Sequence, residues 1–397
     1  MEFTLRRPLG ISACTQAAER SPPRIMLVGL FPPARGGVTT FLLNLVGSDL
    51  SSSYGFEPYT ISRPPKENVV DNWGYASFFR GGIRRIALGI MVTAWRVLCF
   101  PYAVWRRRID IVQVQASDYQ QFWEATLYVM MARVLRRPVL MRLGGAFDLF
   151  YGGSSPWMKR WIRRAIALPE ILIVQSEYWR MNLAGLGRTD GVIVLNNFIL
   201  EEAIGQTRPM ADTPPTCLFI AGSEARRKGL DVLIDALRLV RKDGMPVRVV
   251  MIGVPPAAAE RIGAAGLDGM AEMRGPLSRE EVLREMRRSE IFLLPSFGEG
   301  FPNSLVEAMA QGMAAIVTPV GSVPEVIGDG RGALVVPAGD SDALAKAIRQ
   351  LSLSPESCAR MGACNQDIVR TRFTSTAVLS TLDRAYQQLL HARSGAA

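Results

Sequence analysis

Residues Ile291 to Gln311 read IFLLPSFGEGFPNSLVEAMAQ. The first four are an apolar run closed by Pro295, the pattern of a short buried strand. Two glycines and Pro302 follow, so one helix cannot carry the whole stretch. Asn303 reads as the N-cap of a helix over 303–311, with Leu305, Val306, Ala308 and Met309 as its apolar positions. Strand, glycine-rich loop and helix N-terminus together make a place where free N–H groups and the helix dipole attract phosphate. Glu299 lies in the loop and Glu307 one turn into the helix, eight residues on. The two read either as carboxylates facing hydroxyls on each side of a phosphate or as solvated surface charges.

The alternation continues in both directions. Strands are expected at Cys217–Ala221, Val247–Ile252, Glu272–Arg274, Ala314–Thr318 and Ala333–Val336. Helices are expected near 229–242, 257–265, 279–288 and 340–351, followed by a helical tail over 355–391. In the first half, Ile25–Leu30, Asp110–Val114, Pro138–Arg142, Ile171–Val174 and Val192–Leu195 read as strands. Helices are expected at Val38–Leu45 and near 119–135, 156–168 and 176–186. Strand–helix alternation of this kind implies α/β architecture with doubly wound parallel sheets. Gln206–Pro215 is a polar, proline-containing linker, and 397 residues suffice for two domains with their own cores. The expected division is a loose extension over 1–23, domains over 24–200 and 201–375, and a final helix over 376–397.

Composition removes several function classes. The only histidine is His391, near the end of the chain, which excludes a Ser-His-Asp triad and a histidine-rich metal site. The five cysteines show no CxxC spacing and are odd in number, which points to reduced thiols in a cytoplasmic compartment. Residues 1–200 carry 24 Lys and Arg against 13 Asp and Glu, while residues 201–397 carry 22 against 23, so the whole excess of +10 sits in the first half. Nucleic acid is a poor fit, because no recognised motif or aromatic-basic repeat accompanies the charge. An anionic membrane surface or a diphosphate-bearing acceptor fits better.

Residues 83–105 are strongly apolar but interrupted by Arg84, Arg85 and Arg96, so no uncharged run reaches the roughly 20 residues of a membrane span. Pro101 is expected to break or kink this helix. Arg106, Arg107 and Arg108 follow it, and Trp157, Lys159, Arg160, Trp161, Arg163 and Arg164 form a second basic-aromatic cluster. The pattern suits a protein lying on a membrane, and equally an ordinary core helix with a charged rim.

The Glu-x7-Glu spacing around Gly-Phe-Pro-Asn-Ser resembles glycosyltransferase family 4, retaining enzymes of the GT-B fold. The resemblance covers nearly all of 24–390 and is densest over 217–340. It includes Gly222-Ser-Glu-Ala-Arg-Arg-Lys-Gly229, Gly275-Pro-Leu277 and Gly321-Ser-Val-Pro-Glu-Val-Ile. It implies two Rossmann-like domains facing across a cleft, the first taking the acceptor and the second a nucleoside-diphosphate sugar, with the C-terminal helix crossing back. Arg227 and Lys228 match the basic pair that grips the donor diphosphate, and Glu299 is implied to orient the sugar. Gly300, Phe301, Pro302, Asn303, Ser304 and Leu305 match the phosphate-facing loop, Glu307 the ribose ligand, Leu277 the segment under the nucleobase, and Gly36-Gly37 the first domain's glycine loop. No metal or other cofactor is implied. The acceptor would be a saccharide or lipid-diphosphate-linked saccharide of bacterial surface polysaccharide assembly.

Four positions depart from the family pattern. Ser223 stands where an arginine is frequent, leaving Arg226 or Arg227 to supply that contact. Leu143 stands where a histidine commonly touches the donor sugar, and Gln113 and Gln115 stand where histidines are frequent. Asp118 and Asp148 read as acceptor contacts or as turn carboxylates. The leading expectation is therefore a glycosyltransferase, and the alternative that Leu143 raises is a catalytically silent GT-B subunit that binds nucleotide sugar for a partner.

Overall fold

The computed structural model describes residues 22–32, 34, 37–62, 82–117, 119–145, 147–206, 215–221 and 225–394; for 82–86, 88, 148, 149 and 394 it describes the backbone alone. Two six-stranded parallel sheets form. The first contains β1 (Arg24–Gly29), β2 (Gly55–Thr60), β3 (Ile111–Ala116), β4 (Val139–Leu143), β5 (Ile171–Val174) and β6 (Val192–Val194), in the order β2-β1-β3-β4-β5-β6. The second contains β7 (Thr216–Ile220), β8 (Arg248–Ile252), β9 (Ala271–Arg274), β10 (Ile291–Leu294), β11 (Ala314–Val317) and β12 (Ala333–Val335), in the order β12-β11-β10-β7-β8-β9. Every residue of β3, β4 and β10 is buried, as expected of strands covered on both faces by helices.

Strand order reverses between β1 and β3 in the first sheet and between β7 and β10 in the second. In open parallel sheets a ligand crevice lies outside the strand C-termini at such a reversal. The loops that leave β1, β7 and β10 there begin the stretches carrying Gly37, Arg227 with Lys228, and Glu299.

Several local expectations are corrected. Gly55–Thr60 forms β2, which the sequence reading passed over because Pro58 and weak alternation hide it; a proline is tolerated there because β2 is the sheet edge. Helix Gly82–Arg106 runs unbroken through Pro101, held by Phe100 and Val104, which are buried against the first sheet. Asn303 is not an N-cap: Pro302 takes that position, and helix Asn303–Ala310 has no side-chain cap.

The tail divides its loyalties. Helix Pro355–Arg372 packs on the second sheet through Val369 and Cys358. Helix Ser375–Ser394 returns to the first: Leu382, Ala385 and Tyr386 share one core with Ile25, Leu27 and Phe41. Tyr386 donates from its hydroxyl to the buried amide oxygen of Gln113, and Tyr54 donates to Asp383 at 2.6 Å. Glu201 accepts from the Ser375 hydroxyl and from the Thr376 amide at 2.9 Å, seating a carboxylate on this helix's N-terminus. Leu382 is completely buried. Leu382→Ala should therefore cost about 2–5 kcal/mol of global stability in urea unfolding; a cost near zero would show that the final helix is not part of the first core.

Candidate active site

The site is built around one buried carboxylate. β10 ends at Leu294, and the loop after it carries Ser296 and Glu299, whose side chain is 3 % exposed. Lys228 donates to Glu299 Oε1 at 2.8 Å, and Ser296 donates to the same oxygen at 2.6 Å. A guanidinium nitrogen of Arg227 lies 3.8 Å from Oε2, and Arg227 also donates to the carbonyl of Gly298. The loop is held in turn by Thr318, which donates to the Ser296 carbonyl at 2.6 Å. Burial pushes the Glu299 carboxyl up, but Lys228, Arg227 and the Ser296 hydrogen bond outweigh it, and its pKa stands below the ordinary carboxylate range.

Backbone geometry brings the cations there. Gly229 adopts φ +83° at the turn before helix Leu230–Lys242, and a Cβ on it would collide with the carbonyl of Pro295. The Arg227 carbonyl accepts from the amide of Phe297 at 2.8 Å, stitching the two loops together. Arg226, by contrast, has its side chain 91 % exposed and lies 4.0 Å from Asp231. Of the two arginines left open by Ser223, the fold thus points Arg227 inward. Gly36, Ser223 and Asp118 lie outside the described residues, as does the side chain of Asp148.

The helix after the loop begins with backbone contacts of its own. The Asn303 amide donates to Phe301 O at 2.9 Å and the Leu305 amide to Pro302 O at 3.0 Å, so both already have protein acceptors. Leu305 and Phe301 are core side chains, with the Phe301 ring 6.1 Å from that of Phe373, and only their backbones can face a ligand. Leu277 likewise packs against the second core. Ser304 is half-buried in the helix's first turn. Glu307 is 21 % exposed; burial pushes its carboxyl up, opposed by Arg279 at 4.0 Å.

Polar residues whose roles the sequence reading missed tie the two domains together. Arg142 in β4 is fully buried, lies 3.8 Å from the centroid of the Phe41 ring and donates to Asn197. Asn197 donates to the Asn303 side-chain oxygen across the cleft. Gly37 faces the same group: any Cβ there would strike the Asn303 amide. On the other side of the cleft, Trp179 donates to Gly300 O at 2.9 Å, and Glu325 accepts from the amides of Glu177 at 2.8 Å and Tyr178 at 2.5 Å. Glu325 of the second domain thereby caps helix Glu177–Gly185 of the first. The cavity lined by Gly37, Thr40, Asn197, Asn303 and Glu307 holds about 20 Å³, room for one water. Among the described residues the space beside Glu307 between the two domains is therefore small. A lone arginine inside the apolar run Val139-Leu-Met-Arg-Leu was the available signal for Arg142, since a buried cation needs a partner. Leu143 ends β4 as a buried core side chain with no polar group to offer.

Known proteins resemble this chain in sequence and in fold. Residues 214–353 match the family model described as Glycosyl transferases group 1. The phosphatidyl-myo-inositol mannosyltransferase of Mycobacterium leprae is 29% identical over 244 residues, 60% of this chain and 63% of that protein. The amylovoran biosynthesis glycosyltransferase AmsK of Erwinia amylovora is 28% identical over 199 residues, 48% of this chain and 49% of that protein. The chain thus spans about half to two thirds of the length of these curated relatives. Among solved structures, sucrose-phosphate synthase from Thermosynechococcus elongatus superposes with a TM-score of 0.73 over 93% of this chain and 100% of that one, at 16% identity. Anabaena HepE in complex with UDP gives 0.69 over 92% and 100%, at 15% identity. The fold is GT-B.

Removing Lys228 leaves Glu299 with less compensation for its burial. Lys228→Ala should cost about 3–5 kcal/mol of stability near neutral pH. Because the folded pKa of Glu299 is depressed, its contribution is complete above the unfolded carboxylate value and fades as pH falls through the folded one. The gap between wild type and the variant should therefore narrow on acidification below that range; a gap constant with pH would contradict the ion pair.

Proposed function

We propose that this chain is a retaining, metal-independent glycosyltransferase that moves a hexosyl group from a nucleoside-diphosphate sugar to an acceptor hydroxyl. The acceptor is a saccharide or a lipid-diphosphate-linked saccharide, and the product belongs to a bacterial surface polysaccharide or glycolipid. In this reading residues 24–200 receive the acceptor and 201–375 the donor, and the reaction runs in the cytoplasm, where thiols stay reduced. The observation that carries it is the Lys228–Glu299–Arg227 cluster at the strand reversal of the second sheet, beside a helix N-terminus and within the stretch matching Glycosyl transferases group 1. The names of the M. leprae and E. amylovora relatives support the product class, and the UDP held by HepE supports the donor class.

The chemistry follows from charge. The bond between the sugar's anomeric carbon and the phosphate oxygen breaks, and its electron pair stays on the diphosphate. The acceptor oxygen bonds to the same face of the sugar, and its proton passes to the departing phosphate oxygen. Arg227 and Lys228 meet the charge that grows on that phosphate, doing by fixed cations what a metal would otherwise do. Arrival of the diphosphate offers Lys228 a second anion, and the Glu299 oxygen it releases turns to a sugar hydroxyl. Glu307 takes the ribose hydroxyls.

Leu143 favours a second reading. Its side chain is hydrocarbon and packed into the first core, so the sugar gains no hydrogen bond there, which fits a subunit that binds nucleotide sugar without turning it over. Donor hydrolysis separates the two: slow release of nucleoside diphosphate marks the enzyme, and tight binding without release marks the silent subunit.

A thermal-shift panel of UDP, GDP and ADP with their sugars should show selective stabilisation by one base. With that donor, Lys228→Ala should lower kcat by about 100- to 1,000-fold while changing donor KM much less. Equal damage to both constants would reduce Lys228 to ground-state binding. Burial holds the Glu307 carboxyl at a raised pKa, so the charged form works against the folded protein at neutral pH. Glu307→Gln should accordingly leave the ligand-free melting temperature unchanged or higher, yet weaken donor binding by roughly tenfold. Unchanged donor affinity would remove Glu307 from the ribose role.

A further inference from the structure

Helix Gly82–Arg106 contains no acidic residue, and its solvent face is apolar. Met91, Trp95, Leu98, Tyr102 and Trp105 are 63, 68, 73, 59 and 73 % exposed and recur at intervals of four and three, one stripe of the helix. Arg96, whose charge would interrupt such a stripe, instead turns inward and donates to the Ser62 carbonyl at 2.7 Å. The opposite face is the core face of Phe100 and Val104, so both sides of the helix are hydrophobic, for different reasons. Soluble monomers rarely leave a contiguous apolar patch of this kind without a use for it.

Where the stripe ends, the surface changes character. Trp105 forms one wall of an open depression of about 460 Å³ whose other walls are Arg106, Arg108, Asp110, Arg137 and Arg393. Four guanidinium groups face one carboxylate. That carboxylate is already committed, Oδ1 to Arg393 at 2.6 Å and Oδ2 to the amide of Arg24 at 2.9 Å. The Nε of Arg137 is buried with no hydrogen-bond partner among the described residues. Arg108 and Arg136, in the two loops bordering the depression, hold φ of +50° and +53° as the left-handed caps that close the helices ending at Arg106 and Val134, which fixes where the arginines that follow those helices leave the backbone. The depression lies before β3 and β4, at the strand N-termini, so it is at the opposite end of the first sheet from Gly37 and the cleft.

We propose that this end of the first domain is a docking surface for anionic phospholipid, with a headgroup phosphate in the arginine depression and the Met91–Trp105 stripe in the interfacial layer of one leaflet. Tryptophan and tyrosine beside arginine suit that boundary, because each offers an apolar body and a polar tip. Among the described residues no helix is long and apolar enough to cross a membrane, which agrees with a protein lying along the surface. Helix Pro156–Ile166, with Trp157 and Trp161 exposed, packs on the same sheet face and widens the footprint. A second copy is the poorer occupant: symmetric pairing through the stripe would bring two basic first halves together, each carrying the chain's whole excess of +10. The assignment is independent of the transferase reading.

Co-sedimentation of the full chain with vesicles tests it. Binding to phosphatidylcholine vesicles containing phosphatidylglycerol should exceed binding to pure phosphatidylcholine at least tenfold and fall as salt rises. The double variant Trp95→Ser, Leu98→Ser should lose at least tenfold of that binding while keeping the wild-type melting temperature, since both side chains already face water. Arg108→Ala should lose the preference for the anionic lipid and keep the weak binding to the neutral one. Equal binding to both vesicles, or none to either, would overturn the proposal. So would stabilisation by inorganic phosphate without vesicle binding, or a dimer in light scattering that the double variant dissolves while vesicles are ignored.

Discussion

A carboxylate withdrawn from water costs several kcal/mol unless cations and donors are held against it. Glu299, 3 % exposed, has Lys228 and Ser296 on one oxygen and Arg227 near the other. Because the three partners come from two loops, the carboxylate can stay charged only where the turn after β7 meets the turn after β10. Gly229 permits that meeting by yielding its Cβ space to the Pro295 carbonyl, and Thr318 braces the loop from β11's side. In the proposed reaction the cations would be oriented before the diphosphate arrives, the condition under which electrostatic stabilisation is most effective.

The same economy links the domains. Buried Arg142 hands its hydrogen bond to Asn197, which hands one on to Asn303 at the head of the helix that follows the Glu299 loop. Glu325 caps a first-domain helix, and Trp179 holds the carbonyl of Gly300, next to Glu299 itself. The inter-domain contacts and the cationic cluster therefore share one loop, so parting the domains would disturb the setting of Glu299.

Sheet architecture, the placing of Arg227, Lys228 and Glu299 on their loops and that of Glu307 on its helix were legible in the sequence, because apolar runs, glycines and prolines act locally. What escaped was decided by tertiary partners. β2 hides behind Pro58, acceptable only because the strand lies at an edge. Pro101 stays inside its helix because Phe100 and Val104 are pinned beneath it. Asn303 looked like a cap, yet the first domain claims its side chain through Asn197. Arg96 sits in an apolar stretch where its charge suggests exposure, and only the Ser62 carbonyl explains its inward turn. Arg142 shows the converse: a lone arginine in a buried strand announces a need for a partner without naming Asn197.

The site stands on the coupling between Lys228 and Glu299, and a double-mutant cycle reads it most directly. Calorimetric Kd values for the preferred nucleoside diphosphate would be taken for wild type, Lys228→Met, Glu299→Gln and the pair together. If the buried carboxylate orients the cation toward the diphosphate, the losses are strongly non-additive, and the double variant binds little worse than Lys228→Met alone. Losses that simply add would contradict the shared cluster and leave two independent side chains in its place.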